Sequence, residues 1–162
     1  MKKTNFISIL ILISSCTSRP KGELFPNFSM LLADSSTRFS TASIKEGHPI
    51  VLMYFSPDCE HCQKETEVIL KNMHALENAQ FYFVTNDPLD RLKAFIGYYK
   101  VSKYSNITLG RDDQFFLLKY FKGAPPPYLV LYDRHKRQRA AFQGEMPIDT
   151  IISFITKSQI YE

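Results

Sequence analysis

The chain has 162 residues, the size of one domain, and 44% of them are hydrophobic, enough to bury a core. Its formal net charge of +4 counts Lys2 and Lys3, which sit in a segment that reads as removable, so charge suggests no nucleic-acid partner. Neither an internal repeat nor a low-complexity segment is visible.

Lys2 and Lys3 precede an apolar run at 6–13 that is too short to span a bilayer and has the shape of a signal peptide's basic and hydrophobic regions. It ends in Ile13-Ser14-Ser15-Cys16, where small residues directly before a cysteine resemble the lipobox of bacterial lipoproteins. That resemblance implies removal of residues 1–15 and lipidation of Cys16, leaving 16–23 as a polar tether and 24–162 as the folded domain. An ordinary cleaved signal with Cys16 incidental is the alternative. Either way the domain is expected outside the cytoplasm, anchored to a bacterial membrane on the first reading, where oxidising conditions suit a dithiol.

Residues 25–32 alternate well enough for a strand that turns at Ala33-Asp34-Ser35-Ser36 and returns through Thr37-Arg38-Phe39, an N-terminal β-hairpin. A loop at 45–49 leads into Ile50-Val51-Leu52-Met53-Tyr54-Phe55, whose unbroken apolar run suits the middle of a sheet. After Ser56-Pro57-Asp58 come Cys59-Glu60-His61-Cys62, then helical spacing of Val68, Ile69, Leu70, Met73 and Leu76 to about Asn78. Residues 80–84 predict the next strand, and Asp87-Pro88 opens a helix with Leu92, Phe95, Ile96 and Tyr99 inward. A short strand at 106–110 follows, then Asp112-Asp113 cap a helix carrying Phe115, Phe116, Leu118 and Phe121. Pro125-Pro126-Pro127 stands directly before a strand at 128–133, where proline is tolerated only at the first strand position and where cis bonds occur. A basic turn at 133–139 reads as a solvated tip, with a lipid headgroup or an acidic partner as the alternative contact. A last strand then reaches Gly144, and a closing helix from Pro147-Ile148 turns Ile151, Ile152, Phe154 and Ile155 inward. The alternation of strands and helices implies an α/β domain, a central sheet with helices on both faces.

The two cysteines carry the chemistry. A thiolate is the nucleophile, yet a free cysteine is only about 3% ionised at pH 7, so the site must favour the anion. Cys59 falls where a helix begins, facing unpaired amides and a partial positive charge worth about 0.3–1 kcal/mol, less than one pKa unit. His61 is placed to assist as a cationic or hydrogen-bonding neighbour, while Glu60 opposes it if its carboxylate turns toward the sulfur. Cys62, one turn on, can close a disulfide with Cys59. Structural zinc wants four ligands, usually two such pairs, and no second pair exists; His48, His74 and His135 have no companions at ligand spacing. No metal and no cofactor is therefore expected.

With these residues in place the chain resembles the thioredoxin superfamily, in particular exported thiol–disulfide oxidoreductases of the TlpA/ResA type. The likeness rests on Pro26-Asn27-Phe28, on Phe55 to Cys62, on a proline before the strand at 128, and on Gly144. It implies a thioredoxin-like fold with a central mixed sheet and a cis proline beside the cysteine pair that presents backbone groups to substrate; Pro127 fits best, Pro126 second. It further implies exchange with protein disulfides or dithiols, more as reductant than oxidant, electrons from a membrane thiol protein, and a monomer. Two departures stand out: Asp58 occupies the usual tryptophan position, and the buried carboxylate of thioredoxins maps to Met53, leaving water, Glu60 or His61 to deprotonate Cys62. A peroxiredoxin of the AhpC/TSA group shares the fold and would use Ser56 with Cys59, although Leu52 stands where that group has proline. A non-enzymatic module, in which the pair binds a metal or staples the loop, is the remaining reading.

Overall fold

The structure, a computed structural model, describes residues 22–160; the expected export signal and Cys16 lie outside the described residues. Seven strands form one sheet: β1 (Ser29–Leu32), β2 (Arg38–Ser40), β3 (Ile50–Tyr54), β4 (Gln80–Thr85), β5 (Ile107–Arg111), β6 (Tyr128–Tyr132) and β7 (Gln138–Gln143), in the order β2-β1-β5-β4-β3-β6-β7. The pairs β3–β4 and β4–β5 are parallel, whereas β3–β6, β6–β7, β1–β5 and β1–β2 are antiparallel. The mixed sheet and the N-terminal hairpin are thus as expected.

The apolar run at 50–55 is unbroken because β3 is covered on both faces. Val51 and Met53, with Phe55 beyond the strand, enter one core cluster, while Ile50, Leu52 and Tyr54 enter the other. The first cluster is closed by α1 (Glu60–Lys71), α2 (Met73–Leu76), α3 (Leu89–Tyr99) and α5 (Ile148–Ile160), through Ile69, Leu76, Leu92, Phe95, Ile151 and Ile155. The second is closed by the short α4 (Phe116–Tyr120) and by Phe25 and Phe28 of the segment before β1.

Two helical assignments are corrected. The helix expected to run to Asn78 breaks at Asn72, which leaves helical angles (φ −104°, ψ 12°) and whose side-chain amide donates to the Val68 carbonyl at 2.8 Å, so that α2 begins anew at Met73. The buried stripe of α1 is Cys62, Glu65, Thr66 and Ile69, and Val68 is exposed. In α4 the inward residue is Leu117; Phe115 and Leu118 are exposed. The cause is local: Phe115 adopts a left-handed φ of 55°, and the buried Asp112 carboxylate accepts the Leu117 N–H at 2.7 Å, which starts the helix late and rotates its faces.

Gly110 of β5 lets the hairpin close on the sheet, because a Cβ there would lie 2.6 Å from Met30 Cγ and Sδ and 2.9 Å from its Cβ. Met30 is fully buried and cannot retreat into solvent. Gly110→Ala is expected to cost about 1–3 kcal/mol, the usual penalty of an overfilled core, read as a lower urea midpoint with unchanged slope.

The topology sorts the loops between two ends. The C-terminal ends of the parallel strands β3, β4 and β5, the start of β6 and the end of β7 share one end; the start of β3 and the turn after β6 share the other. At that second end the β6–β7 ladder shifts register between Leu131 and Tyr132, and the turn is tied to the N-terminal segment by a bridge between Leu24 and Arg137.

Candidate active site

Cys59 lies at the first of these ends, where β3 hands over to α1. The chain leaves β3 with Phe55 N–H donating to the Val84 carbonyl at 2.9 Å, turns through Ser56-Pro57-Asp58, and closes that turn with Cys59 N–H on the Ser56 carbonyl at 3.1 Å. Cys59 has extended backbone angles and is the N-cap of α1; its carbonyl accepts from Gln63 N–H at 3.0 Å. The Gln63 side chain donates to the Pro57 carbonyl at 2.8 Å and pins the turn to the helix. The sulfur of Cys59 is half-buried, whereas Cys62, one turn along, is fully buried in the first core cluster.

The proline loop meets this turn from β6. The Pro126–Pro127 peptide is cis, which settles the choice of cis residue on Pro127. The Cys59 thiol points at the Pro126 carbonyl, 3.8 Å away, and the Pro127 carbonyl accepts from Gly144 N–H at 2.8 Å, locking the loop to the end of β7. Gly144 turns there with φ of 90°. A cavity of about 380 Å³ opens between His61, the three prolines, Gly144 and Glu145. On the far side of the turn a second cavity of about 420 Å³ is lined by Pro57, Asp58, Arg91, Phe95, Tyr98 and Tyr99, and Asp58 pairs with Arg91 across it. The position usually filled by tryptophan is therefore a surface ion pair here.

The charged residues between the cysteines have partners of their own. His61 Nδ1 lies 2.6 Å from Glu145 Oε1, and Glu60 accepts from Lys64 Nζ at 2.8 Å one turn along α1. Both side chains are mostly exposed, at 67% and 77%. His61 thus links the start of α1 to the loop after β7.

Sequence reasoning passed over a buried carboxylate on the same helix as the cysteines. Met53, the expected counterpart position, is simply core. Glu65, three residues after Cys62 on the same buried stripe, is only 2% exposed; its Oε2 accepts from Met146 N–H at 3.0 Å, and its Oε1 has no partner. Burial pushes its pKa up to about 7, opposed by the Met146 amide and helped by nearby Glu145. The Cys62 thiol is pushed far above its ordinary value, first by burial, then by the hydrogen bond with Cys59, with charges at Cys59 and Glu65 adding to the rise. The signal was present in Cys62-Gln63-Lys64-Glu65: a spacing of three puts both on one helical face.

A half-buried thiol at a helix start, a second thiol buried one turn along and a cis-proline loop beside the first are set together on a sheet of this topology. The chain belongs to the thioredoxin-like domain family, whose family model matches residues 40–159. No curated protein matches it in sequence. Among solved structures it is similar to the thioredoxin domain of a thiol-disulfide oxidoreductase from Bacteroides vulgatus, at 23% identity, 85% of this chain, 99% of that chain and a TM-score of 0.67. It is also similar to a secreted Mycobacterium tuberculosis disulfide oxidoreductase homologous to E. coli DsbE, at 18% identity, 80% and 95% coverage and a TM-score of 0.67. A peroxiredoxin-like protein from Aquifex aeolicus aligns at 14% identity, 85% and 86% coverage and a TM-score of 0.67. Such matches establish the fold.

Among the described residues no group of three or more His, Cys, Asp or Glu side chains is arranged to hold a metal ion, and no helix is long and apolar enough to cross a membrane.

Proposed function

We propose that the protein is an exported thiol–disulfide oxidoreductase in which Cys59 is the attacking sulfur and Cys62 the resolving one, working as a reductant of protein disulfides. The observation that carries this is the unequal burial of the two thiols beside the cis-proline loop: Cys59 is reachable and Cys62 is not. In the reducing direction the Cys59 thiolate attacks one sulfur of a substrate disulfide. The substrate S–S bond breaks, a Cys59–substrate disulfide forms, and the expelled thiolate takes a proton. Cys62 then loses its proton to Glu65 and attacks the Cys59 sulfur, leaving a Cys59–Cys62 disulfide and a second reduced substrate thiol. The Pro126 and Pro127 backbone borders the groove in which the substrate chain lies. His61 and Glu60, held by Glu145 and Lys64, adjust the local charge. A second thiol one turn beneath the first favours exchange over the peroxidase reading.

Export rests on the basic and apolar character of residues 2–13, and lipid attachment on Ser14-Ser15-Cys16. Residues 1–15 are then the signal, 16–23 the tether and 24–162 the working domain, supplied with electrons by a membrane thiol protein. The test is the equilibrium reduction potential of the Cys59–Cys62 couple against glutathione. A value near about −270 mV is expected; one near about −120 mV would make the protein an oxidant. A disulfide that fails to equilibrate with glutathione at all would leave a structural staple.

A further inference from the structure

The basic turn after β6 has no part in the redox site, and its position in the fold gives it a different use. Asp133 shapes the turn: its carboxylate accepts from His135 N–H and Arg137 N–H, each at 2.9 Å, and from Arg139 Nε at 2.7 Å. The turn holds Arg134, Lys136 and Arg137, and Lys157 from the last turns of α5 joins Arg134 and Arg139 around one cavity. These basic residues outnumber the acids beside them, Asp133, Glu46 and Glu23.

The N-terminal segment enters the domain at this same turn. Besides the Leu24–Arg137 bridge, Phe25 N–H donates to the Lys136 carbonyl at 2.8 Å, and Gln138 N–H donates to the Glu23 carbonyl at 2.7 Å. Fully extended, the chain from Cys16 to Leu24 reaches at most about 29 Å. Whatever holds Cys16 therefore lies within about 29 Å of the strand bridge at the basic turn. The sheet register then sets the orientation: Ile50 pairs with Tyr132 at this end, and Tyr54 with Tyr128 at the cysteine end. The cysteine end carries Asp58, Glu60, Asp113 and Glu145, paired with Arg91, Lys64, Arg38 and His61, and it mixes Asp87 and Asp90 with Arg111 and Lys122, so it has no excess of positive charge to match the basic turn.

We propose that the turn at 133–139, with Lys157, is a docking surface for an anionic lipid bilayer, so that the domain stands on its basic end with the dithiol facing away from the membrane. Positive charge beside the tether's entry matches phospholipid headgroups. The proposal rests on residues 1–23 serving as export signal and tether, and it is independent of the direction of electron flow.

The test uses residues 16–162, the chain left once the signal is removed, with Cys16→Ser to remove acylation, and vesicles of phosphatidylcholine with or without phosphatidylglycerol. Hydrogen exchange of the 133–139 amides is expected to slow on the anionic vesicles only, and the slowing is expected to vanish at high salt. Arg137→Gln with Lys157→Gln should lower the affinity for anionic vesicles about thirty-fold, at two charges removed from the surface, while insulin reduction in solution stays at the parent rate. Equal protection on neutral and anionic vesicles, protection of the loops around Cys59 instead, or no protection on either overturns the proposal. Protection that appears only with added polyglutamate also overturns it and assigns the turn to an acidic protein. An inactive dithiol with intact turn protection would strike the oxidoreductase reading and leave this one standing.

Discussion

Serine at position 59 is expected to abolish disulfide exchange, and serine at position 62 to stop it halfway. Only Cys59 can be reached by a substrate disulfide, since Cys62 is fully buried on the inner face of α1. Without the Cys59 sulfur no mixed disulfide forms, and insulin reduction should fall about 10³-fold or more, the scale on which loss of a nucleophile is felt. In Cys62→Ser the first attack remains possible but the second sulfur is gone. The protein should accumulate as a covalent adduct with its substrate, visible by mass spectrometry and released by added dithiothreitol. Steady exchange by Cys59→Ser would end the proposed mechanism. Sustained peroxide consumption by Cys62→Ser would transfer the site to the peroxiredoxin reading.

Glu65→Gln is expected to flatten the dependence of stability on pH and to slow the resolving attack. An unfolded glutamate releases its proton near pH 4.5, but buried Glu65 keeps it until about 7. Between these values the folded state binds more protons than the unfolded one, so stability falls as pH rises through that window and is constant above it. A shift from 4.5 to about 7 corresponds to about 3 kcal/mol in total. Glutamine can still accept the Met146 N–H and has no charge to bury, so urea midpoints of parent and variant should approach each other near pH 4.5 and separate by pH 8, the variant being the more stable. Catalysis should move the opposite way. With no acceptor for the Cys62 proton, resolution of a preformed mixed disulfide should slow about 10²-fold, at the lower end of general-base effects, and lose its inflection near pH 7. Parallel pH profiles in both assays would remove Glu65 from the mechanism.

Much of the frame was readable because local rules and tertiary packing agree along it. The unbroken run of β3, the alternation of elements and the apolar spacing of α3 and α5 each had one interpretation, and the structure follows them. The cysteine pair and the proline loop were visible as spacing, and the choice of Pro127 as the cis residue matches the backbone. Periodicity failed at α4, where a left-handed Phe115 displaces the phase that an uninterrupted count from Asp112 assumes. It failed more instructively at Glu65. A charged residue on a helix is read as solvent-facing, and only its spacing from Cys62 argued otherwise. A single backbone amide from Met146, distant in sequence, is what accommodates it in the interior. The partnership of His61 with Glu145 is equally non-local, since the two meet only after β7 has returned the chain to the cysteine end.

The register shift between β6 and β7 bears on how the molecule avoids its own kind. β7 is the outermost strand of the sheet on that side, and Phe142 on it is exposed. A straight, apolar margin of this sort would invite a strand from another copy to add on and propagate into fibres. The irregularity falls at Arg139, where Leu131 pairs with Ala140 but Tyr132 with Gln138; it breaks the even row of donors and acceptors at the Gln138 end of β7 and sets the Arg139–Asp133 ion pair there, so the margin is not uniform along its length.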